Sequence, residues 1–170
     1  MQPGRYCPIH YRYTPADIAA ADELRAACLY VIGGLYGNGP ALDAILELAA
    51  REPAPPVLVF NGDFNWFNVD GGSFAAINRE VLKHVALRGN VETELASADE
   101  TAGCGCGYPD FVDDADVTRS NAIMKILRAT AAGFDGLRQQ LRRLPMYARA
   151  NVGGMRIAIV HGDCESLAGW

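Results

Sequence analysis

Several features that would assign a protein class are missing from this sequence of 170 residues. No apolar run approaches the roughly 20 residues that a membrane-spanning helix needs, and the first residues lack the apolar core of a signal peptide. Positive charge is not in excess either, since 15 Lys and Arg stand against 20 Asp and Glu and the net charge is −5. We therefore expect a cytoplasmic protein that has neither a membrane nor a nucleic-acid duplex as partner.

A disulfide framework is also missing. The five cysteines are an odd number scattered along an acidic chain, which favours reduced thiols. Cys104 and Cys106 stand one residue apart, a spacing that suits neither a C-x2-C zinc site nor an easy disulfide. A metal or redox role for this pair remains open beside the interpretation as plain thiols.

Half of the residues are hydrophobic, which is enough for one domain with a real core. Residues 28–61 follow the order strand, glycine-rich turn, helix, strand, and this order predicts a right-handed β-α-β unit with parallel strands. Its second strand, Val57-Leu58-Val59-Phe60, has no polar interruption and is predicted to be buried on both faces. Residues 1–27 predict a lead-in segment with one short helix capped by Thr14, so a single α/β domain is expected over 28–170.

The rest of the chain continues the alternation of strands and helices. An aromatic-rich loop at 64–69 is expected either to pack against the end of the sheet or to wall a pocket. The predicted elements after it are a helix from Ser73, a strand at 84–87, helices over 118–131 and up to Pro145, and a hairpin of 146–152 with 155–160 around Gly153-Gly154.

Polar side chains follow three of the predicted strands at the point where each strand ends. Asp63 comes one glycine after the strand at 57–61, Asn90 follows the strand at 84–87, and His161 follows the last strand. Ligands bind at the carboxyl ends of the strands in open α/β sheets, so we expect these side chains at one edge. A carboxylate, an amide oxygen and an imidazole form a set that a hard divalent cation accepts.

Four motifs resemble those of the calcineurin-like metallophosphoesterases, and they follow one another along the chain in the order that the family has. The resemblance runs from Leu29 to Trp170. The motifs are Asn61-Gly62-Asp63, similar to the family's G-D motif with its metal-bridging aspartate; Leu87-Arg88-Gly89-Asn90-Val91-Glu92, similar to L-R-G-N-H-E; Val160-His161-Gly162-Asp163, similar to a later motif with a histidine ligand; and Gly34-Leu35-Tyr36-Gly37-Asn38, similar in position to the opening D-x-H-G-N.

The resemblance implies an α/β fold in which a β-sandwich is flanked by helices. It implies that Asp63, Asn90 and His161 are catalytic and bind a divalent metal ion, with Mn, Fe, Zn and Mg as candidates. The family's second sheet is largely built from sequence after the histidine motif, so we expect a domain that is incomplete at its C-terminus. Exposed sheet edges, and homo-oligomers formed through them, are the expected consequence.

The resemblance also implies that Arg88, Asn38 and Tyr36 contact the phosphate of a substrate. Packing is an equally good interpretation of Tyr36, and Asn38 is suited to cap the helix that follows it. The sequence departs from the family at Gly34 and Tyr36, where two metal ligands would stand, and at Val91, where a histidine general acid would stand. A valine transfers no proton, and one metal ion is the most that the remaining ligands support.

Three functions are compatible with these residues. The leading hypothesis is hydrolysis of a phosphomonoester or phosphodiester, with a phosphorylated small molecule or nucleotide as substrate. The alternative is a catalytically inactive relative that acts as a binding or interaction module, which the departures from the motifs favour. A Rossmann-like nucleotide-binding unit is the third, because four glycines follow a strand and open a helix, but their spacing does not fit G-x-G-x-x-G.

Overall fold

The computed structural model describes residues 2–169, and over this range the chain is an α/β protein with six α-helices and two three-stranded sheets. The helices are α1 (Pro15–Ala20), α2 (Gly39–Ala50), α3 (Gly71–Val81), α4 (Asn90–Ala96), α5 (Asp114–Ala131) and α6 (Asp135–Arg143). The strands are β1 (Glu23–Ala26), β2 (Leu29–Ile32), β3 (Val57–Asn61), β4 (Val85–Leu87), β5 (Tyr147–Val152) and β6 (Met155–Val160). None of these helices combines the length and the apolar character that a membrane crossing requires.

The first sheet has the order β2-β3-β4 and is entirely parallel. Its first two strands and α2 form the predicted β-α-β arrangement of residues 28–61. The central strand β3 buries Leu58, Val59 and Phe60, as its uninterrupted apolar run predicts. Leu58 and Phe60 belong to the main core, which includes residues of α2, α3, α5 and α6, so the helices cover this face of the sheet.

The second sheet has the order β1-β5-β6 and is mixed. β1 runs parallel to β5, and β5 and β6 form the predicted antiparallel hairpin around Gly153-Gly154, whose φ angles are 60° and 88°. Ala150 and Ile159 of this sheet share one apolar cluster with Val59 and Leu87 of the first sheet. The strands β1, β6, β2 and β4 lie at sheet edges. Self-association through such edges stays a prediction.

The N-terminal part differs from the sequence prediction, which has residues 1–27 as a lead-in before the domain. Thr14 caps α1 as expected, and its side chain accepts a hydrogen bond from a backbone N–H of the first turn. The chain then continues into β1, an edge strand of the second sheet, and Tyr11 is completely buried. The segment therefore belongs to the fold. Its strand is missed because Glu23-Leu24-Arg25-Ala26 contains no β-branched or aromatic residue.

The irregular segment 97–113, between α4 and α5, is held in place by residues 4 and 5. Gly4 donates its N–H to the Ala102 carbonyl at 2.9 Å, and the Tyr108 N–H donates to the Gly4 carbonyl at 2.8 Å. The Arg5 guanidinium donates to two further backbone carbonyls of the segment, at 2.8 and 2.7 Å. These bonds fix a long loop that borders the ends of β3 and β4.

Candidate functional site

Three strand ends bring polar side chains to one cavity of about 340 Å³. Asp63 follows β3, Asn90 begins the helix after β4, and His161 follows β6. His161 Nε2 lies 3.3 Å from Asp63 Oδ2 and 3.3 Å from Asn90 Oδ1. The structure thus brings together the three residues that the sequence proposes as one site, although they stand far apart in the chain.

The turn after β3 sets the position of Asp63. Both Gly62 and Asp63 have positive φ angles, 78° and 53°. A Cβ atom at Gly62 would lie 2.6 Å from the Gly89 backbone nitrogen and 2.6 Å from His161 Nδ1, so only glycine lets these loops approach so closely. Asp63 Oδ1 accepts a hydrogen bond from the Val91 N–H at 3.1 Å, and Oδ2 is left to face His161.

His161 is oriented by the strand next to it. Its Nδ1 lies 2.7 Å from the Asn61 carbonyl oxygen, which can only accept, so Nδ1 carries a hydrogen and Nε2 points towards Asp63. Burial lowers the pKa of this imidazole, but the hydrogen bond and negative charge of Asp63 outweigh burial and raise the pKa of His161 to about 9. His161 is therefore protonated at neutral pH, with Nε2 facing Asp63 Oδ2.

The orientation of Asn90 comes from the cysteine-containing loop. Its Nδ2 donates to the Cys104 carbonyl oxygen at 3.0 Å and lies 3.7 Å from Cys106 Sγ. Because the nitrogen side of the amide is fixed by a carbonyl acceptor, Oδ1 is turned towards His161. Cys104 itself is fully buried, and within residues 2–169 no disulfide joins any of the five cysteines.

Glu92 lies beneath the site, completely buried, and the sequence analysis gives it no role of its own. Its Oε2 accepts from the backbone N–H groups of Asp63 at 2.7 Å and Gly89 at 3.1 Å. Its Oε1 accepts from the backbone and side-chain N–H groups of Asn65, at 3.1 and 3.3 Å. One carboxylate therefore joins two loops. The available signal was a Glu three residues after a helix N-cap, the pattern of a capping box.

The charges of the site fit a divalent cation. Burial and the nearby Asp63 charge raise the pKa of Glu92 to about 7, although its backbone hydrogen bonds lower it. Two carboxylates then share the site with one imidazole, whose raised pKa means that a proton compensates part of their charge. Donor atoms 3.3 Å apart, as measured from His161 Nε2, are close to the spacing of ligands that bind one ion at about 2.1 Å.

The ligand set is small, however. Within residues 2–169 no group of three or more His, Cys, Asp and Glu side chains is arranged to hold a metal ion. Asp63 and His161 would be two ligands of an ion held here, and the Asn90 amide oxygen would be the third. The residues fit one ion with three protein ligands and water at its other positions.

The residues predicted to contact substrate have separate locations. Tyr36 lines the cavity, and its ring covers Gly34, where a Cβ atom would lie 2.6 Å from the Tyr36 Cζ. Asn38 caps α2 by accepting a backbone N–H at 3.0 Å. Arg88 borders a different cleft and donates to the Arg142 carbonyl at 3.2 Å, because the chain turns at Gly89 before α4. The structure thus brings Tyr36 to the site, but neither Arg88 nor Asn38.

The rest of the cavity wall is largely apolar and aromatic. In the loop at 64–69, Phe64 is buried in the core, whereas Trp66 lines the cavity and Phe67 is 55% exposed. Packing and pocket formation, the two roles considered for this loop, are thus both present. Val91 and Cys106, which the sequence singles out for other reasons, also line the cavity, and Tyr108 and Leu167 line it without having been predicted to do so.

The protonation of His161 predicts a pH dependence of stability. Its pKa rises from 6.5 to about 9 on folding, so the folded protein binds the extra proton between these pH values. The stabilisation is complete below pH 6.5 and is lost as the pH rises through 9. We expect a loss of about 2 kcal/mol in the free energy of unfolding, less than the full shift implies because both side chains retain some exposure. Urea denaturation in EDTA at about pH 6 and about pH 9.5 measures it.

Two variants test the assignment to this residue. His161→Gln should reduce the difference between the two pH values, since it removes one of the groups that titrate between them. His84→Gln is the matched control, because His84 lies outside the residues that line the cavity, and it should keep the difference. An unchanged pH profile in His161→Gln would contradict the assignment.

Comparison with known proteins gives little further information. No family model matches the sequence, and no curated protein matches it. Among solved structures, the crystal structure of hypothetical protein PH1004 from Pyrococcus horikoshii OT3 is similar, with 19% sequence identity and a TM-score of 0.46. The match covers 79% of this chain and 54% of that chain, so this chain spans about half the length of that protein.

Proposed function

We propose that this protein is a metal-dependent phosphoesterase that hydrolyses a phosphomonoester or phosphodiester with one divalent ion. The observation that carries the proposal is the convergence of Asp63, Asn90 and His161 on one cavity. The buried Glu92 supports it, because a carboxylate that binds the backbone of two loops keeps their side chains in a fixed arrangement.

The ligand atoms would be Asp63 Oδ2, Asn90 Oδ1 and His161 Nε2. Mn, Fe, Zn and Mg are the candidate ions, and a divalent ion bound here would lower the pKa of a bound water and polarise a phosphoryl oxygen. Val91 holds Asp63 Oδ1 through its N–H, which leaves Oδ2 for the ion. The Cys104 carbonyl accepts a hydrogen bond from Asn90 Nδ2, which leaves Asn90 Oδ1 for the ion.

Tyr36 is the side chain best suited to contact the phosphate. Partial burial, and to a smaller extent the charge of Asp63, raise the pKa of its phenol, so the hydroxyl stays protonated and can donate a hydrogen bond. Val91 cannot protonate a leaving group. The leaving oxygen would therefore take its proton from the Tyr36 hydroxyl or from water, and substrates with acidic leaving groups should react fastest.

Metal content and hydrolysis test the proposal together. Protein incubated with Mn²⁺ and then desalted should hold about one ion per chain and should hydrolyse p-nitrophenyl phosphate or its bis ester. Asp63→Asn and His161→Ala should lose the ion and lower turnover by about a hundredfold or more.

Two variants away from the cavity serve as controls for that experiment. Asp43→Asn removes an exposed carboxylate of α2, and His10→Ala removes an exposed histidine, so both should keep metal and turnover. If Asp63→Asn retains both the ion and the activity, the proposed site is wrong.

A second candidate is a catalytically inactive relative that binds a phosphorylated ligand or partner. The position of the Tyr36 ring over Gly34 favours it, because this ring fills the space into which a side-chain ligand at residue 34 would project. Three results together would favour this candidate: about one metal ion per chain, no turnover of any phosphoester, and binding of inorganic phosphate.

A further inference from the structure

Three aromatic side chains stand together at the mouth of the cavity: Tyr36, Trp66 and Phe67, here called the aromatic rim. The rings of Tyr36 and Phe67 meet edge to face, with centroids 6.3 Å apart and an interplanar angle of 82°. Those of Trp66 and Phe67 are 5.4 Å apart and inclined by 55°. Tyr36 and Trp66 also line the cavity that contains Asp63 and His161.

The backbone of the rim adopts an unfavourable conformation. Within residues 2–169 the non-glycine residues with positive φ are Tyr36 (53°), Asp63 (53°) and Phe67 (63°), all of them at this site. This region of φ is costly for aromatic residues. Burial does not offset it here, because Tyr36 is 50% and Phe67 55% exposed. Strain of this kind is characteristic of ligand-binding positions.

The composition of the cavity indicates what kind of molecule the rim would bind. The polar atoms of Asp63, Asn90 and His161 line this cavity together with the rings of Tyr36 and Trp66. No Lys or Arg is among the lining residues in the part of the chain that the structure describes. A long anionic ligand would lack partners in such a cavity, whereas a flat ring attached to one phosphate group has polar partners for the phosphate and aromatic partners for the ring.

We infer that the phosphoester bound at this site carries a planar aromatic ring, a nucleobase or an aryl alcohol, which packs on Tyr36, Trp66 and Phe67. The inference rests on the proposed function for the phosphate end of the ligand. It assigns the aromatic rim as the part of the site that selects the substrate.

Binding of paired ligands tests the inference, and the first pair consists of phosphonates, whose P–C bond the protein would not hydrolyse. Calorimetry in Mn²⁺ compares phenylphosphonate with methylphosphonate, and adenosine 5′-monophosphate with ribose 5-phosphate, so that each pair differs mainly in the ring. At least one ring-bearing ligand should bind about tenfold more tightly than its partner, in line with the stacking of bases on aromatic side chains. The pair with the larger ratio identifies the ring as aryl or nucleobase.

Phe67→Ala should abolish that preference while it leaves the affinity for methylphosphonate unchanged. Its matched control is Phe111→Ala, which removes a phenylalanine that is 82% exposed and does not belong to the aromatic rim, whereas the Phe67 ring contacts those of Tyr36 and Trp66. Equal binding within both pairs, or a preference that survives Phe67→Ala, would overturn this inference and leave the proposed function intact. If none of the four ligands binds in Mn²⁺, the proposed function fails together with it.

Discussion

Glu92→Ala is expected to lower the free energy of unfolding by about 4 kcal/mol or more. Four N–H groups, from Asp63, Gly89 and Asn65, lose their acceptor in a fully buried location, and each unsatisfied donor costs about 1 kcal/mol or more. Urea denaturation near pH 7 measures the change. Because a domain of this size has only about 5 to 15 kcal/mol to lose, the variant should be close to unfolding at 37 °C.

Two further glutamate variants make this prediction specific. Glu92→Gln keeps one oxygen acceptor but turns the NH2 group of the new amide towards two N–H donors. The variant should stay folded with an intermediate loss of stability, and it should bind less metal. Glu47→Ala is the control, since Glu47 is exposed on α2 and its carboxylate lies 3.6 Å from the Arg51 guanidinium. It should change the stability by no more than about 0.5 kcal/mol. A Glu92→Ala protein with parental stability would contradict the role given to this carboxylate.

Gly62→Ala is expected to lower the free energy of unfolding by roughly 3 kcal/mol and to remove metal binding. The new methyl group would meet the backbone nitrogen of Gly89 and the ring of His161, each at 2.6 Å, and backbone atoms cannot move aside as a flexible side chain can. The φ of 78° adds the strain of a left-handed conformation. Thermal denaturation and metal analysis of the same preparation measure both effects.

The control for this substitution is Gly33→Ala. Gly33 also follows a strand of the first sheet, but a Cβ atom there would have nothing within 4 Å. Stability and metal content should stay near those of the parent. If Gly62→Ala also behaves like the parent, the close approach of the two loops is not required for the site.

The first sheet and the three polar side chains of the site could be predicted from the sequence because the patterns that indicate them are local. An apolar run followed by glycine and a polar residue marks both a strand and its functional end, and this is how Asp63 and Asn90 are found. The hairpin was found in the same way from its two glycines. Such patterns can be recognised without knowing which elements pack against them.

Features that depend on distant partners could not be found in this way. β1 is a strand because β5 lies beside it, not because its own residues favour one. The start of α5 was misplaced because both Thr118 and Asp113 are suitable caps, and the folded chain uses Asp113, whose side chain accepts the Ala115 N–H. The direction of Arg88 follows from the turn at Gly89 and the location of α6, which a linear motif does not contain.

The pairing of β1 with β5 has a consequence for the order of events in folding. Glu23 pairs with Arg149, so β1 can pair only after β5, which lies much later in the chain, has been made. The sheet that presents Asp63 and Asn90 is assembled from residues 29 to 87 and does not have to wait. His161 follows the last strand, and the imidazole therefore joins its partners only when β6 docks. A metal ion that needs Asp63, Asn90 and His161 together would therefore bind only after β6 has docked, and it would stabilise the finished fold instead of starting its formation.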